Sequence, residues 1–372
     1  MQIVIPKSLD GVGAGRSALV TGIYGQDGSY MVDLLLALGY DRVWGAARKV
    51  SMRDDQNIRH NLGHERFELL EMDLQDPISV DSTIKKVWPD ELYNFGALSR
   101  VGASFNQEVA YLKTNALGPL YLIKAIQKFC PECRMYQAST TELYGGSPAP
   151  HGYDSPFSPD SPYATSKLAA HWQCINESRA GGGFFVPCIL TNHESPRRGR
   201  YFVTQKIIYG MLEIARLHAA GADWKPLGLG NLTARRDWTY APEMVFLAWL
   251  ALQQDDPSPL IAGSGVSITV EDFLVRAARA CGIQGVPDRV EGAEDAWALG
   301  SDIGVIARVD QKFYRPMAPS HLEIAESAVL ETYKRTGWKP WTTVDMLITK
   351  MVDAARGCDE TIRFAPADWV AP

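Results

Sequence analysis

A tyrosine and a lysine at helical spacing are the residues best suited to acid–base chemistry. Tyr163 and Lys167 stand four residues apart, just after Ser161 and Pro162. Serine is a favoured N-cap and proline a favoured first helical residue, so a helix is predicted to begin here with both side chains on one face. A nearby ammonium lowers the pKa of a phenol, and the phenolate can take a proton from a hydroxyl while its carbon is oxidised. The pair predicts a dehydrogenase-type base.

A second polar group follows an apolar run at residues 135–138, which is typical of a buried strand. At the carboxyl edge of a parallel sheet, where ligands bind, its side chains would face a substrate. Simple oxidation needs only a hydroxyl such as that of Thr140. Glu142 adds a proton carrier that can remove the acidic hydrogen beside a new ketone and so permit elimination of water. The alternative for Glu142 is a structural role, as a helix cap or as the partner of an arginine.

A glycine-rich loop lies between an apolar run at 18–20 and a helix-like stretch at 31–38. Glycines there let the backbone approach a pyrophosphate, whose charge is met by amides at the start of the helix. This order predicts a dinucleotide site. The loop residues expected to contact the dinucleotide are Gly22, Gly25, Gln26, Asp27 and Gly28.

The end of the second predicted strand distinguishes NADP from NAD. In an NAD site a carboxylate about 20 residues beyond the loop binds the ribose hydroxyls. Arg48 and Lys49 occupy that place here and suit the additional phosphate of NADP, although two solvated surface charges are the alternative. The residues after the third and fourth strands that are expected beside the cofactor are Asp73, Leu74, Asn94, Ala97 and Ser99.

The elements that position these residues alternate along the chain. Strands are predicted at 18–20, 43–47, 67–72, 92–95, 135–138 and 185–190, with segments between them long enough for crossover helices. That alternation predicts an α/β fold with a doubly wound parallel (Rossmann) sheet. Residues 17–191 are expected to form this domain, and the chain is expected to add further strands and helices to it near 238–282. Residues 192–372 are expected to form mainly a smaller α/β substrate lobe. Residues 1–16, which are rich in glycine, are expected to be a flexible extension.

Composition excludes several classes of protein. The 372 residues are 46% hydrophobic and carry a formal net charge of −6. The sequence contains no basic tract of the kind that binds nucleic acid or an anionic membrane surface. No apolar run approaches the roughly 18 residues of a membrane span and no secretory signal is present, so the cytoplasm is the predicted location. The six cysteines lack metal-site spacing beyond a lone Cys130 and Cys133 pair, so no metal is expected.

Three strings of residues resemble the GDP-mannose 4,6-dehydratase family. They are GQDGSY at 25–30, YQASTTELYG at 136–145 and NHESPRRG at 192–199. Shorter similar stretches occur at 202–204, 229–232, 236–238, 314–316 and 337–340. The resemblance covers nearly the whole chain, from about residue 17 to residue 340.

The resemblance implies an NADP-dependent 4,6-dehydration of a GDP-hexose, GDP-mannose first, to a 4-keto-6-deoxy sugar nucleotide. Tyr163, with Lys167 and Thr140, would mediate oxidation at carbon 4, and Glu142 would remove the carbon 5 proton and protonate the departing hydroxyl. Besides the loop and strand-end residues given above, the positions implied to contact the cofactor are Tyr163, Lys167, Asn192, His193 and Arg198. Those implied to bind the substrate are Ser99, Asn192, Arg197, Lys206, Arg236 and Arg315. For Arg197 and Lys206 a surface or subunit-contact role is the alternative. A homodimer or homotetramer is also implied.

Departures from the family pattern leave the sugar open. Met317 and its neighbours occupy a stretch where a glutamate is usual, Asn106 stands where another glutamate is usual, and Arg100 replaces a common histidine. A GDP-heptose is therefore an alternative substrate. A reductase or epimerase of the same superfamily would share Tyr163 and NADP without needing Glu142, and a non-catalytic NADP-binding protein is a third alternative.

Overall fold

The computed structural model of the chain describes residues 1–49, 55–285, 298–313 and 321–369. Its strands are β1 (Gln2–Val4), β2 (Ser17–Thr21), β3 (Arg42–Ala47), β4 (Phe67–Glu71), β5 (Glu91–Asn94), β6 (Arg134–Ala138), β7 (Phe184–Leu190), β8 (Asn192–Glu194), β9 (Leu227–Leu229), β10 (Arg235–Tyr240), β11 (Leu260–Ala262), β12 (Ser267–Thr269), β13 (Ala298–Leu299), β14 (Ala307–Val309), β15 (His321–Leu322) and β16 (Thr361–Arg363). Its α-helices are α1 (Gln26–Ala37), α2 (Pro77–Val87), α3 (Val101–Ser104), α4 (Glu108–Leu112), α5 (Gly118–Phe129), α6 (Pro162–Arg179), α7 (Val203–Ala219), α8 (Ala241–Leu252), α9 (Val270–Ala280), α10 (Glu326–Thr336) and α11 (Val344–Ala355).

A seven-stranded sheet in the order β11-β7-β6-β5-β2-β3-β4 forms the centre of the larger lobe, and each of its pairings is parallel. The predicted strands match β2 to β7 to within two residues at either end. The doubly wound parallel fold is therefore confirmed.

The two faces of this sheet are covered by different helices, as β2 shows. Ala18 and Val20 point into the apolar core shared with α1 and α8, while Leu19 points into the core shared with α2 and α5. All three are fully buried. Successive side chains on a strand face opposite ways, so burial on both sides explains why these strands are continuous apolar runs.

A smaller lobe carries α7, α9 and α11 around a separate apolar core. Strand β10 pairs with β8, β12 and β15, and β14 pairs with β9 and β13. Helix α9 begins with a reciprocal capping box formed by Thr269 and Asp272. Helix α8 and strand β11 belong to the larger lobe, whereas β12 and α9 pack in the smaller one. The segment that rejoins the larger lobe therefore ends earlier than the predicted 238–282.

The first sixteen residues differ from the predicted flexible extension. Strand β1 pairs in parallel with β16, and Leu9 is buried in the core beside α1. A side chain at Gly13 would collide with the ring of Tyr40, so this glycine permits close packing of the extension against the domain. Gly13 does not indicate flexibility here, because the residue it packs against, Tyr40, lies on a later segment of the chain.

A buried carboxylate joins α8 to the segment after α10. The side chain of Glu243 is fully buried and accepts hydrogen bonds from the backbone N–H groups of Trp341 and Thr342, both at 3.0 Å. The indole N–H of Trp338 donates to the Glu243 carbonyl at 2.8 Å. Trp341 thus takes part in an anchor on α8 through its backbone.

The free energy of unfolding should fall as this carboxyl ionises. Burial raises the pKa of Glu243 from its ordinary 4.5 to about 7. The folded state therefore keeps a proton that the unfolded chain releases, and stability declines as pH rises from 4.5 to 7, by about 3 kcal/mol from this group. Urea titrations across that interval measure the slope. A Glu243→Gln protein should lack this component, and an unchanged slope would contradict the assignment.

Of the described helices, none has both the length and the apolar character needed to cross a bilayer.

Candidate active site

Helix α6 presents the predicted acid–base pair on its buried face. The Ser161 hydroxyl accepts from the Ala164 N–H at 3.1 Å, and Pro162 is the first helical residue. Tyr163 and Lys167 are only 8% and 4% exposed. The ammonium of Lys167 donates to the Ala138 carbonyl at the end of β6 at 2.5 Å. The helix thus fixes both groups against the carboxyl edge of the sheet.

Burial dominates the titration of both groups. It raises the pKa of Tyr163, against a hydrogen bond with the Thr140 side chain and the charge of Arg198, which lower that pKa. Burial lowers the pKa of Lys167 to about 8, while the Asp27 carboxylate opposes that change. Lys167 is therefore mostly protonated at neutral pH, and Thr140 rather than Lys167 forms the direct contact that favours the phenolate.

The turn after β6 carries the other two predicted catalytic residues. Thr140 caps the short 3-10 turn Thr141–Leu143, since its hydroxyl accepts from the Glu142 N–H at 3.2 Å. The half-buried Glu142 carboxylate is close enough to Tyr163 to raise the pKa of its phenol. Thr140, Glu142 and Tyr163 therefore converge at one place.

A cleft of about 630 Å³ adjoins this group and contains most of the predicted cofactor residues. Those that line it are Gly22, Gly25, Gln26, Asp27, Gly28, Arg48, Asp73, Leu74, Ala97, Ser99 and Arg198. Asp27 and Arg198 also act electrostatically on Lys167 and Tyr163, so the cleft and the acid–base group are neighbours. The arrangement can hold a dinucleotide along the carboxyl ends of β2 to β5.

The glycine loop is shaped for close approach. Gly22 has a φ of +69°, and a Cβ there would lie 2.7 Å from the Phe95 carbonyl carbon. A Cβ at Gly28 would lie 2.5 Å from the Gly22 carbonyl oxygen. Only glycine fits at both positions, and the start of α1 is left open toward the cleft.

Strand β8 is fastened to this loop by polar contacts. Nε2 of His193 lies 3.1 Å from the Asp27 carboxylate, and the Ser195 hydroxyl donates to the Gln26 amide oxygen at 2.7 Å. Burial would raise the pKa of Asp27, but the charge and hydrogen bond of His193 overcome it and lower that pKa to about 2. His193 therefore acts on the loop, by pairing with Asp27, and does not line the cleft.

Two residues predicted to contact ligands have side chains that bond to other protein groups. The Asn94 amide lies between strands, where it accepts from Thr21 at 2.6 Å and donates to Gln137 at 2.7 Å, outside the lining of the cleft. The Arg197 guanidinium lies 2.6 Å from the Asp33 carboxylate and its side chain is 7% exposed. A buried carboxylate requires a partner, and Arg197 supplies it while its residue also lines the cleft.

The remaining predicted substrate residues are spread along the smaller lobe. Lys206 donates to the Gly228 carbonyl at 2.6 Å and lies 3.3 Å from the ring centre of Phe313. Asn192 and Arg236 are on the paired strands β8 and β10, and the Arg236 guanidinium donates to the Arg235 carbonyl at 2.7 Å. Arg315 and Met317 lie outside the described residues.

The cleft also contains polar residues that the sequence did not single out. They include Gln56, Asn57, Gln75, Tyr201 and Tyr209. Gln75 follows the end of β4 closely, so its position could have been inferred with that of Asp73. Asn57, which donates to the Tyr24 carbonyl at 3.1 Å, comes from a segment with no periodic pattern.

The chain is similar over most of its length to a family profile, to named relatives and to solved structures. The sequence profile of the GDP-mannose 4,6 dehydratase family matches residues 19–351. The chain is 36% identical to GDP-mannose 4,6-dehydratase of Vibrio cholerae over 354 residues, covering 91% of this chain and 93% of that protein. It is 36% identical to GDP-mannose 4,6 dehydratase 2 of Arabidopsis thaliana over 362 residues, covering 94% and 90%. The fold resembles the Thermus thermophilus UDP-glucose 4-epimerase complex with NAD, with a TM-score of 0.73, 23% identity and coverage of 92% and 99%.

Proposed function

Because the chain belongs to the GDP-mannose 4,6-dehydratase family, we propose that it converts GDP-mannose to GDP-4-keto-6-deoxymannose by loss of water. The observation that carries the proposal is the convergence of Glu142 with Thr140 and Tyr163 beside a cleft shaped for a dinucleotide. A hydroxyl and a phenol suffice for oxidation alone. A carboxylate at the same place adds the proton carrier that elimination of water requires.

Each side chain has a role that follows from its position. Thr140 orients the carbon 4 hydroxyl through the same hydroxyl that contacts Tyr163, and Tyr163 takes its proton. Lys167 supplies a fixed positive charge from its site on the Ala138 carbonyl. Glu142 then removes the proton on carbon 5, which the carbon 4 ketone has made acidic, and delivers a proton to the departing carbon 6 hydroxyl. A bound nicotinamide would accept the hydride from carbon 4 and return it to carbon 6, and Tyr163 would return its proton to carbon 5, which restores both groups.

The residues of the cleft fit a dinucleotide, and we assign NADP. At Gly22 and Gly28 a Cβ would collide with the protein's own backbone, so the loop turns tightly before α1 and the amides at the start of that helix are available to a pyrophosphate. At the end of β3 the exposed Arg48 lines the cleft at the place where a carboxylate would bind NAD. A guanidinium pairs with a phosphate, so it favours the phosphorylated ribose.

A charge reversal at Arg48 tests the choice of cofactor. Arg48→Glu should shift the ratio of NADP to NAD affinity toward NAD by about 10–100-fold, because a charge-assisted hydrogen bond is lost and a repulsion gained. Dissociation constants from quenching of intrinsic fluorescence give the ratio. Lys49→Glu is the matched control, since Lys49 is exposed but does not line the cleft. Equal shifts in both variants would mean that the effect is one of general surface charge.

The proposed assembly is a homodimer or homotetramer. Helices α3 and α4 both pack against α6, and large apolar side chains are exposed on α4, on α6 and just after α3, among them Phe105, Val109, Leu112 and Trp172. Exposed apolar patches of this kind are typical of surfaces that associate. Light scattering of the purified protein measures the molar mass directly.

The reaction itself is tested with purified protein, NADP and GDP-mannose. Mass spectrometry should show a product lighter by one water, and the 4-ketone should appear by its absorbance in alkali. The same assay with a GDP-heptose tests the alternative raised by Asn106 and Arg100. Turnover of the heptose alone would keep the mechanism and replace the substrate, whereas reduction or epimerisation without loss of water would contradict the proposal.

A further inference from the structure

The two ends of the chain, both outside the family match at 19–351, meet in a two-stranded parallel sheet that packs on the larger lobe. Gln2 lies opposite Thr361 and Val4 opposite Arg363 in the parallel pair of β1 and β16. We call β1, β16 and the preceding Glu360 the terminal clamp. Its residue Ile362 is fully buried in the core that contains α1 and α8. The terminal clamp is therefore packed against the helix that follows the glycine loop.

Glu360 connects the terminal clamp to that helix. Its Oε1 atom accepts hydrogen bonds from the hydroxyls of Tyr30, at 2.8 Å, and Tyr240, at 3.1 Å. Tyr30 belongs to α1 and Tyr240 precedes α8, and both rings are buried. A buried phenol without an acceptor is costly, so one carboxylate oxygen fixes the position of both rings.

Tyr30 in turn supports Arg197. The guanidinium of Arg197 lies 4.0 Å from the centre of the Tyr30 ring and donates to the Ser29 hydroxyl at 3.0 Å. Its ion pair with Asp33 attaches it to the same helix. Residues 196–202, which include Arg197, form one wall of the cofactor cleft. Two contacts thus separate Glu360 from that wall.

We propose that Glu360 is a positioning residue for the cofactor, acting through Tyr30 and Arg197 to hold the wall at 196–202 in its binding conformation. The inference rests on the proposed use of NADP. The terminal clamp, which lies beyond the family match, would then contribute to the affinity for the cofactor. If the wall is in the binding conformation for a smaller fraction of the time, the apparent dissociation constant rises by the inverse of that fraction.

Glu360→Ala should raise the dissociation constant for NADP about tenfold while kcat at saturating NADP stays within about twofold. Glu360→Gln should restore affinity, because both hydrogen bonds reach a single oxygen that an amide can supply. Asp359→Ala is the matched control, since Asp359 is 98% exposed and pairs with the N-terminal amine. Fluorescence quenching gives the affinities, and thermal unfolding followed at the same protein concentration gives Tm.

A purely structural role predicts a different result, in which Tm falls but affinity measured well below Tm is unchanged. If the wild-type protein binds NADP and Glu360→Ala binds it equally well, this inference is overturned while the proposed function stands. Failure of the wild type to bind NADP would overturn both. Should Glu360→Ala not fold, Tyr30→Phe removes the same hydrogen bond from the other side and should raise the dissociation constant about threefold. An unchanged constant in that variant also overturns the inference.

Discussion

Replacing Tyr163 with phenylalanine should lower kcat for loss of water from GDP-mannose by about 10²–10⁴-fold. The ring would remain in its buried site, 6.3 Å from the ring of Tyr111, but the hydroxyl that contacts Thr140 would be absent. Binding of NADP should be little changed, because Tyr163 does not line the cleft. Product formation followed by mass spectrometry under saturating conditions gives kcat.

Tyr111→Phe is the control for this experiment. The Tyr111 hydroxyl donates to the Arg100 carbonyl at 2.6 Å and has no place in the proposed chemistry. Its loss should leave kcat within about threefold, the effect of one ordinary hydrogen bond. An equal loss of activity in both variants would show that packing of the rings, and not proton transfer, limits the reaction.

Glu142→Gln should abolish dehydration while leaving oxidation at carbon 4 intact. The amide keeps the size of the side chain but cannot take the carbon 5 proton, so we expect product to form about 10²–10⁴-fold more slowly. Mixing a stoichiometric amount of GDP-mannose with the NADP-loaded variant should then give the near-ultraviolet absorbance of reduced nicotinamide without a lighter product.

This result separates the dehydratase from its rivals. A reductase or epimerase would tolerate Glu142→Gln, since neither reaction removes the carbon 5 proton for elimination. A protein that binds NADP without chemistry would show no reduced nicotinamide in either form. Thr141→Ser, a change within the same turn as Glu142, provides the control for disturbance of the local backbone.

The central sheet could be predicted from the sequence because its strands are buried on both faces. Such strands are short continuous apolar runs, and residues 185–190 are of this kind. The catalytic helix could be predicted as well, since Ser161 and Pro162 are local signals for its start. The edge at which parallel strands end predicted where Thr140 lies, and its pairing with Tyr163 was implied by the family resemblance.

Contacts between distant segments could not be predicted in this way. Arg197 was expected at a diphosphate because cations suit phosphates, but its partner is Asp33 on α1, a residue with no local sign of burial. Asn94 was placed at the cofactor by its position after a strand, although its amide lies between Thr21 and Gln137. Strand β1 was missed because β16 lies at the other end of the chain.

The interleaved path of the chain limits how such a protein can be divided. A fragment ending at residue 191 would lack α8, which covers one face of the sheet together with α1, and β11, which pairs with β7. Strand β7 would become an open edge, and an unprotected edge invites pairing with other chains. Recombination at the apparent boundary between the lobes should therefore yield aggregating chimaeras, and an exchange of substrate lobes between relatives would have to leave 241–262 with its own sheet.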